Sequence, residues 1–95
     1  MTPVGIDTLS LATGHYALSL ADLAVARGVD PQKYLVGLGQ VTMSVPSPQE
    51  DIITMGVEAG LRVLSKIPDP DTIRWVLCAT ESCIDQSKSA SVYLH

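Results

Sequence analysis

Apolar and polar positions change their period along this chain, and the changes mark out its elements. Val4 and Ile6 alternate with Gly5 and Asp7, and Leu9 and Leu11 resume the alternation one position out of phase. That predicts a strand over 4–11 with a bulge or bend near Thr8. Ala12-Thr13-Gly14-His15-Tyr16 is turn material. Ser19 then reads as the N-cap of a helix over 20–27, with Asp22 early and Arg27 late as the helix dipole prefers, and Gly28 stops it. Asp30 caps a second, short helix with Pro31 at its first position, running through Tyr34 and Leu35 toward Gly37. Val41-Thr42-Met43-Ser44-Val45 alternates and predicts a strand.

Ser47-Pro48-Gln49-Glu50 reads as a capping box, with Ser47 at the cap, Pro48 at the first helical position and Glu50 at the third. The helix it opens is expected to run to about Lys66. Ile53, Val57, Leu61 and Leu64 form one stripe, and Ile52, Met55, Ala59 and Val63 form its neighbour, so more than half of this helix should be buried. Gly56 and Gly60 weaken it locally, which suggests close approach of another element. Pro68-Asp69-Pro70-Asp71 ends it. Ile73-Arg74-Trp75-Val76-Leu77-Cys78-Ala79 is a largely apolar run without alternation, the mark of a parallel strand covered on both faces. Strand, helix, strand makes a βαβ unit. Ser82–Gln86 reads as a turn, and a last helix begins near Ser87. No glycine, proline or basic turn closes that helix before His95, so residues 1–95 read as a partial domain.

Composition sharpens this picture. Apolar residues make up 46% of the chain and charged residues 17%, with a mean hydropathy of +0.27. So much apolar material in 95 residues needs more covering surface than the chain itself offers, which implies extensive association or a larger parent. A net charge of −4 with six scattered basic residues excludes a general nucleic-acid binder. No stretch has the form of a signal peptide or a membrane span, which points to the cytoplasm. Cys78 and Cys83 are five apart, unlike a redox or zinc pair, and are expected to be free thiols.

Few residues offer chemistry. Glu81 follows the Ile73–Ala79 run, and in open α/β folds ligands bind beyond the carboxyl ends of strands. A carboxylate there suits proton transfer, and equally suits a polar turn. Cys83 lies near a helix start, which favours a thiolate, or else simply fills the turn. Cys78 reads as a small core hydrophobe. His15 sits in a turn far from Glu81 in sequence, and His95 is terminal. Asp85 and Lys88 read as a cap with a weak ion pair. Gly37 and Gly39 suit a tight connection better than a phosphate loop, since no further glycine or Gly-Lys-Ser/Thr follows at the required spacing.

Two longer motifs carry a family likeness. Ala79-Thr80-Glu81-Ser82, followed by Ile84-Asp85-Gln86-Ser87-Lys88-Ser89, resembles the active-site strand end of hydroxymethylglutaryl-CoA synthase. So does Arg27-Gly28-Val29-Asp30-Pro31-Gln32-Lys33-Tyr34-Leu35-Val36-Gly37-Leu38-Gly39-Gln40, and Val4-Gly5-Ile6-Asp7 and Glu50-Asp51-Ile52 fit as well. The likeness covers essentially the whole chain and leans toward the bacterial branch. It implies an α/β thiolase-like fold, of which this chain is the N-terminal portion of the first half. It also implies an acyltransferase of the mevalonate (isoprenoid) pathway. That enzyme condenses acetyl-CoA with acetoacetyl-CoA through an acetylated cysteine and needs no cofactor or metal. By resemblance Glu81 is the general acid/base, and Asp30 and Pro31 lie against the CoA thioester. Pro31 departs from the small residue usual in the animal branch. The family's nucleophilic cysteine and catalytic histidine match nothing in residues 1–95, so this chain alone is expected to be inactive. The likeness further implies a homodimeric parent, with no nucleic-acid or membrane partner. The alternatives are a ketoacyl-synthase-type condensing enzyme, which does not require a glutamate here, and a non-catalytic domain that self-associates.

Overall fold

A computed structural model describes residues 1–95, which divide into two units. Thr13–Gln49 forms one; Met1–Ala12 together with Glu50–His95 forms the other.

The first unit is organised by an antiparallel pair, β1 (Tyr16–Ser19) and β2 (Thr42–Val45). Its register pairs Tyr16 with Val45 and Ser19 with Thr42, and the Leu20 N–H extends the ladder to the Val41 carbonyl at 3.0 Å. β2 lies where the alternation predicts it. β1 occupies residues that read as turn and cap, because its pairing is dictated by a partner more than twenty residues away and not by local pattern. Gly14 makes the entry possible. Its N–H donates to Ser44 Oγ at 2.6 Å, and a Cβ there would lie 2.7 Å from the Val45 carbonyl carbon and oxygen.

Helix α1 (Leu20–Arg27) follows directly. Ser19 caps it by accepting from the Asp22 N–H, and Gly28 ends it at φ 63°, a left-handed conformation that costs other residues about 1–2 kcal/mol. Leu20 and Ala24 are its buried positions. Asp30 then accepts from the Gln32 N–H at 2.9 Å, and a π-type turn spans Lys33–Gly37.

In the second unit, helix α2 runs Ile52–Leu64. Its capping box lies four residues beyond the expected Ser47. Asp51 Oδ1 accepts from the Thr54 N–H and Thr54 Oγ1 from the Asp51 N–H, both at 2.8 Å. Asp51 and Thr54 form the same reciprocal pair of bonds that the Ser47–Glu50 signature offers, on backbone N–H groups one helical turn later. Contrary to the expected burial, no α2 residue is fully buried, because the chain supplies too little to cover its wide apolar face. The N-terminal segment reaches it through two side chains: Arg62 donates to the Leu11 carbonyl at 2.7 Å and Lys66 to the Leu9 carbonyl at 3.2 Å. Arg62 also pairs with Glu58, one turn earlier.

A 3-10 turn at Pro70–Thr72 leads into residues 73–79, and helix α3 (Ala90–Leu94) closes the chain, starting three residues later than expected, after Ser89. Gly56 lets α3 approach α2, since its missing Cβ would lie 2.8 Å from Leu94 Cδ2; Gly60 faces open space and has no such use. The α/β class holds, but the parallel pairing of a βαβ unit is not made by this chain's own backbone. No backbone–backbone hydrogen bond involves residues 1–12 or 74–88, so neither expected strand has a ladder partner. A strand exists only as a member of a ladder, and the apolar pattern selects the residues without supplying the neighbour. Trp75 is 81% exposed and Leu77 88%.

Candidate functional site

Glu81 lies in the bend that follows the 73–79 run, and its residue is exposed. Its surroundings are set by side chains, since the backbone here joins no ladder. The Ser82 N–H donates to Thr80 Oγ1 at 3.1 Å, which tightens the bend directly around Glu81. Cys83 Sγ lies 3.8 Å from the Lys88 carbonyl oxygen. Asp85 fixes the next turn: its Oδ1 accepts from the N–H groups of Ser87 (2.8 Å) and Lys88 (3.1 Å), and its Oδ2 accepts from the Tyr93 hydroxyl at 2.8 Å.

These donors hold the Asp85 carboxyl below its ordinary value, the Ser87 N–H most strongly, then the Tyr93 hydroxyl, then the Lys88 N–H. The same hydrogen bond, with the nearby negative charge, raises the Tyr93 hydroxyl above its ordinary value. The Lys88 ammonium lies 4.9 Å from the centre of the Tyr93 ring, a cation–π contact in place of the ion pair expected with Asp85. A shallow pocket of about 270 Å³ runs along this loop, with Cys78, Thr80, Cys83 and Asp85 among its lining residues.

The two thiols are free and half-buried. No histidine lines their pocket, so the loop assembles no nucleophile–base pair. His15, in the other unit, packs edge-on against the Tyr16 ring at 4.9 Å. Nor do three or more His, Cys, Asp or Glu side chains gather as a metal site would need.

Asp30 and Pro31 belong to the Thr13–Gln49 unit. The Asp30 carboxylate accepts from the Gln32 N–H, the Asp30 carbonyl from the Lys33 N–H at 3.0 Å, and the Pro31 carbonyl from the N–H groups of Tyr34 and Leu35. Asp30 is exposed and Pro31 half-buried, and both are engaged in starting the π-type turn. The contact that the sequence reading missed is Asp85–Tyr93. An acid followed by Ser87 and Lys88 signals a cap, but a tyrosine eight positions on becomes its partner only once α3 is in place.

Comparison with known proteins decides the family. The family described as Hydroxymethylglutaryl-coenzyme A synthase N terminal matches residues 2–95. This chain belongs to the hydroxymethylglutaryl-CoA synthase family. It is 41% identical over 92 residues to the hydroxymethylglutaryl-CoA synthase of Enterococcus faecalis, a match covering 97% of this chain and 24% of the relative. Against that of Haloferax volcanii it is 43% identical over 96 residues, covering 99% and 22%. The mitochondrial enzyme of Sus scrofa is 34% identical, with 96% and 18% covered.

Two solved structures match the fold. MvaS in complex with 3-hydroxy-3-methylglutaryl coenzyme A gives a TM-score of 0.82 at 37% identity, covering 95% of this chain and 22% of that one. HMG-CoA synthase complexed with CoA gives 0.76 at 36%, covering 96% and 23%. The fold is therefore α/β and thiolase-like, and the chain spans about a quarter or less of the length of the relatives it matches. The family match sets aside a ketoacyl-synthase-type enzyme.

Proposed function

We propose that the protein carrying these residues condenses acetyl-CoA with acetoacetyl-CoA to 3-hydroxy-3-methylglutaryl-CoA, in the mevalonate route to isoprenoids. Glu81 is its proton-transfer group. Forming the new carbon–carbon bond requires a proton to leave the acetyl methyl carbon and the ketone oxygen of acetoacetyl-CoA to take one up. A carboxylate in the exposed bend that follows the 73–79 run suits that exchange. Asp30 and Pro31 border the CoA thioester, with the nearby Asp30 and Pro31 carbonyls already committed to the turn that shapes the approach. The acetyl-carrying cysteine and the histidine lie outside these 95 residues, and hydrolysis of the enzyme-bound thioester releases the product. CoA thioesters are the substrates, no cofactor or metal takes part, and the protein works as a cytoplasmic homodimer.

One observation carries this reading. The family match runs through Thr80-Glu81 without leaving the chain, and the neighbours in fold were solved with 3-hydroxy-3-methylglutaryl coenzyme A and with CoA. The test is release of free CoA from acetyl-CoA and acetoacetyl-CoA by the full natural protein. Release that depends on both thioesters supports the proposal; its absence overturns it. Residues 1–95 alone should release none, and mass spectrometry should find Cys83 unacetylated after incubation with acetyl-CoA. Stable acetylation of Cys83 would instead make it the nucleophile.

A further inference from the structure

Residues 74–88 include Glu81 yet share no backbone–backbone hydrogen bond, so side chains must set the path of this loop. The contacts that do so form a short series. Thr80 Oγ1 holds the Ser82 N–H, and the Cys83 thiol meets the Lys88 carbonyl. Asp85 holds the Ser87 and Lys88 N–H groups. All of these ties stay inside the loop. Tyr93 alone among them reaches outward, from α3, whose Ala90 is only 4% exposed and so is anchored in the fold. The Tyr93 hydroxyl occupies the second oxygen of the Asp85 carboxylate at 2.8 Å, and its ring lies under the Lys88 ammonium at 4.9 Å. One side chain thus grips both ends of the 85–88 turn.

We propose that Tyr93 is a positioning residue that fixes, through Asp85 and Lys88, the loop on which Glu81 is carried. The proposal rests on the reading of Glu81 as the proton-transfer group. Proton transfer demands a side chain placed to within hydrogen-bond reach, and a displacement of about 1 Å can cost on the order of 100-fold in rate. A hydroxyl that engages the carboxylate's second oxygen ties the turn to α3; without it, Asp85 still caps the turn but no longer holds it to α3.

The test uses the full natural protein with Tyr93→Phe, which keeps the ring and its contact with Lys88 and removes only the hydroxyl. We expect kcat to fall on the order of 10-fold, with KM for acetoacetyl-CoA and the melting temperature unchanged. Asp85→Asn should give a similar loss, and the double variant should be no worse than the worse single one, because both act through one contact. Glu81→Gln serves as the control for the underlying reading. A large loss in Glu81→Gln with wild-type kcat in Tyr93→Phe overturns the positioning role and leaves the role of Glu81 standing. Wild-type rates in both overturn the role of Glu81, and the positioning role with it. A loss in Tyr93→Phe that comes with a raised KM and a lowered melting temperature also overturns it, as a general loosening of the fold.

Discussion

Three donors converge on the Asp85 carboxylate, and the consequences are measurable in its titration. Its carboxyl is held below its ordinary value of 3.8, so its contribution to the fold is complete above 3.8 and is lost as the pH falls through the lower folded value. Tyr93 is displaced the opposite way, above its ordinary 10.0, so its contribution is complete below 10.0 and is lost as the pH rises through the higher folded value. The latch between them should therefore hold throughout the range from 3.8 to 10.0. Ultraviolet titration of the wild type against Tyr93→Phe isolates this one phenol from Tyr16 and Tyr34. It should ionise above 10.0 in the wild type and return toward 10.0 in Asp85→Asn. A Tyr93 that ionises at or below 10.0 beside an intact Asp85 would contradict the contact. Among single residues, Asp30, Ser19 and Gly28 were legible in the sequence because a cap needs only the next few backbone groups. Tyr93 was not, since its partner lies beyond the reach of any local pattern.

The elements divide along the same line. Helix α1 keeps its expected ends, as its cap and its stop are both local. Helix α2 forms where its apolar stripes predict, but two capping signals compete at its start and the later one wins. Asp51→Ala should therefore destabilise the unit containing α2 by about 1 kcal/mol, read as a lower urea midpoint. An unchanged midpoint would show that the helix starts elsewhere. Gly60, which meets nothing within 4 Å, should accept alanine with a gain of roughly 0.5–1 kcal/mol. The runs 4–11 and 73–79 were legible as apolar extended chain but not as unpaired chain, because alternation identifies a strand's faces and says nothing about which segment completes its hydrogen bonds. β1 fails the other way: it has a partner and no recognisable pattern. The bend carrying Glu81 was placed correctly because the abrupt change from Leu77-Cys78-Ala79 to Thr80-Glu81-Ser82 is visible in the sequence alone.

Over the whole molecule, surface is the dominant fact. The chain exposes 7839 Å², where a folded monomer of 10.1 kDa is expected to expose about 5,300 Å². The excess is larger than the roughly 800 Å² that each partner contributes to a standard protein–protein interface. Its apolar part includes Val4, Ile6, Trp75 and Leu77. Residues 1–95 on their own should therefore self-associate, and sedimentation should show a mass that rises with concentration above 10.1 kDa. A monomer across the accessible range would contradict this. The high apolar content already implied a need for cover, and the lengths of the relatives, of which this chain spans about a quarter or less, agree with it. The proposed function rests on one carboxylate, Glu81. The most direct measurement is single-turnover condensation by the full natural protein, already acetylated, mixed with acetoacetyl-CoA, comparing wild type with Glu81→Gln. The rate of carbon–carbon bond formation should fall by about 10²–10⁴-fold while acetoacetyl-CoA still binds; a Glu81→Gln protein that condenses at the wild-type rate would remove Glu81 from the chemistry.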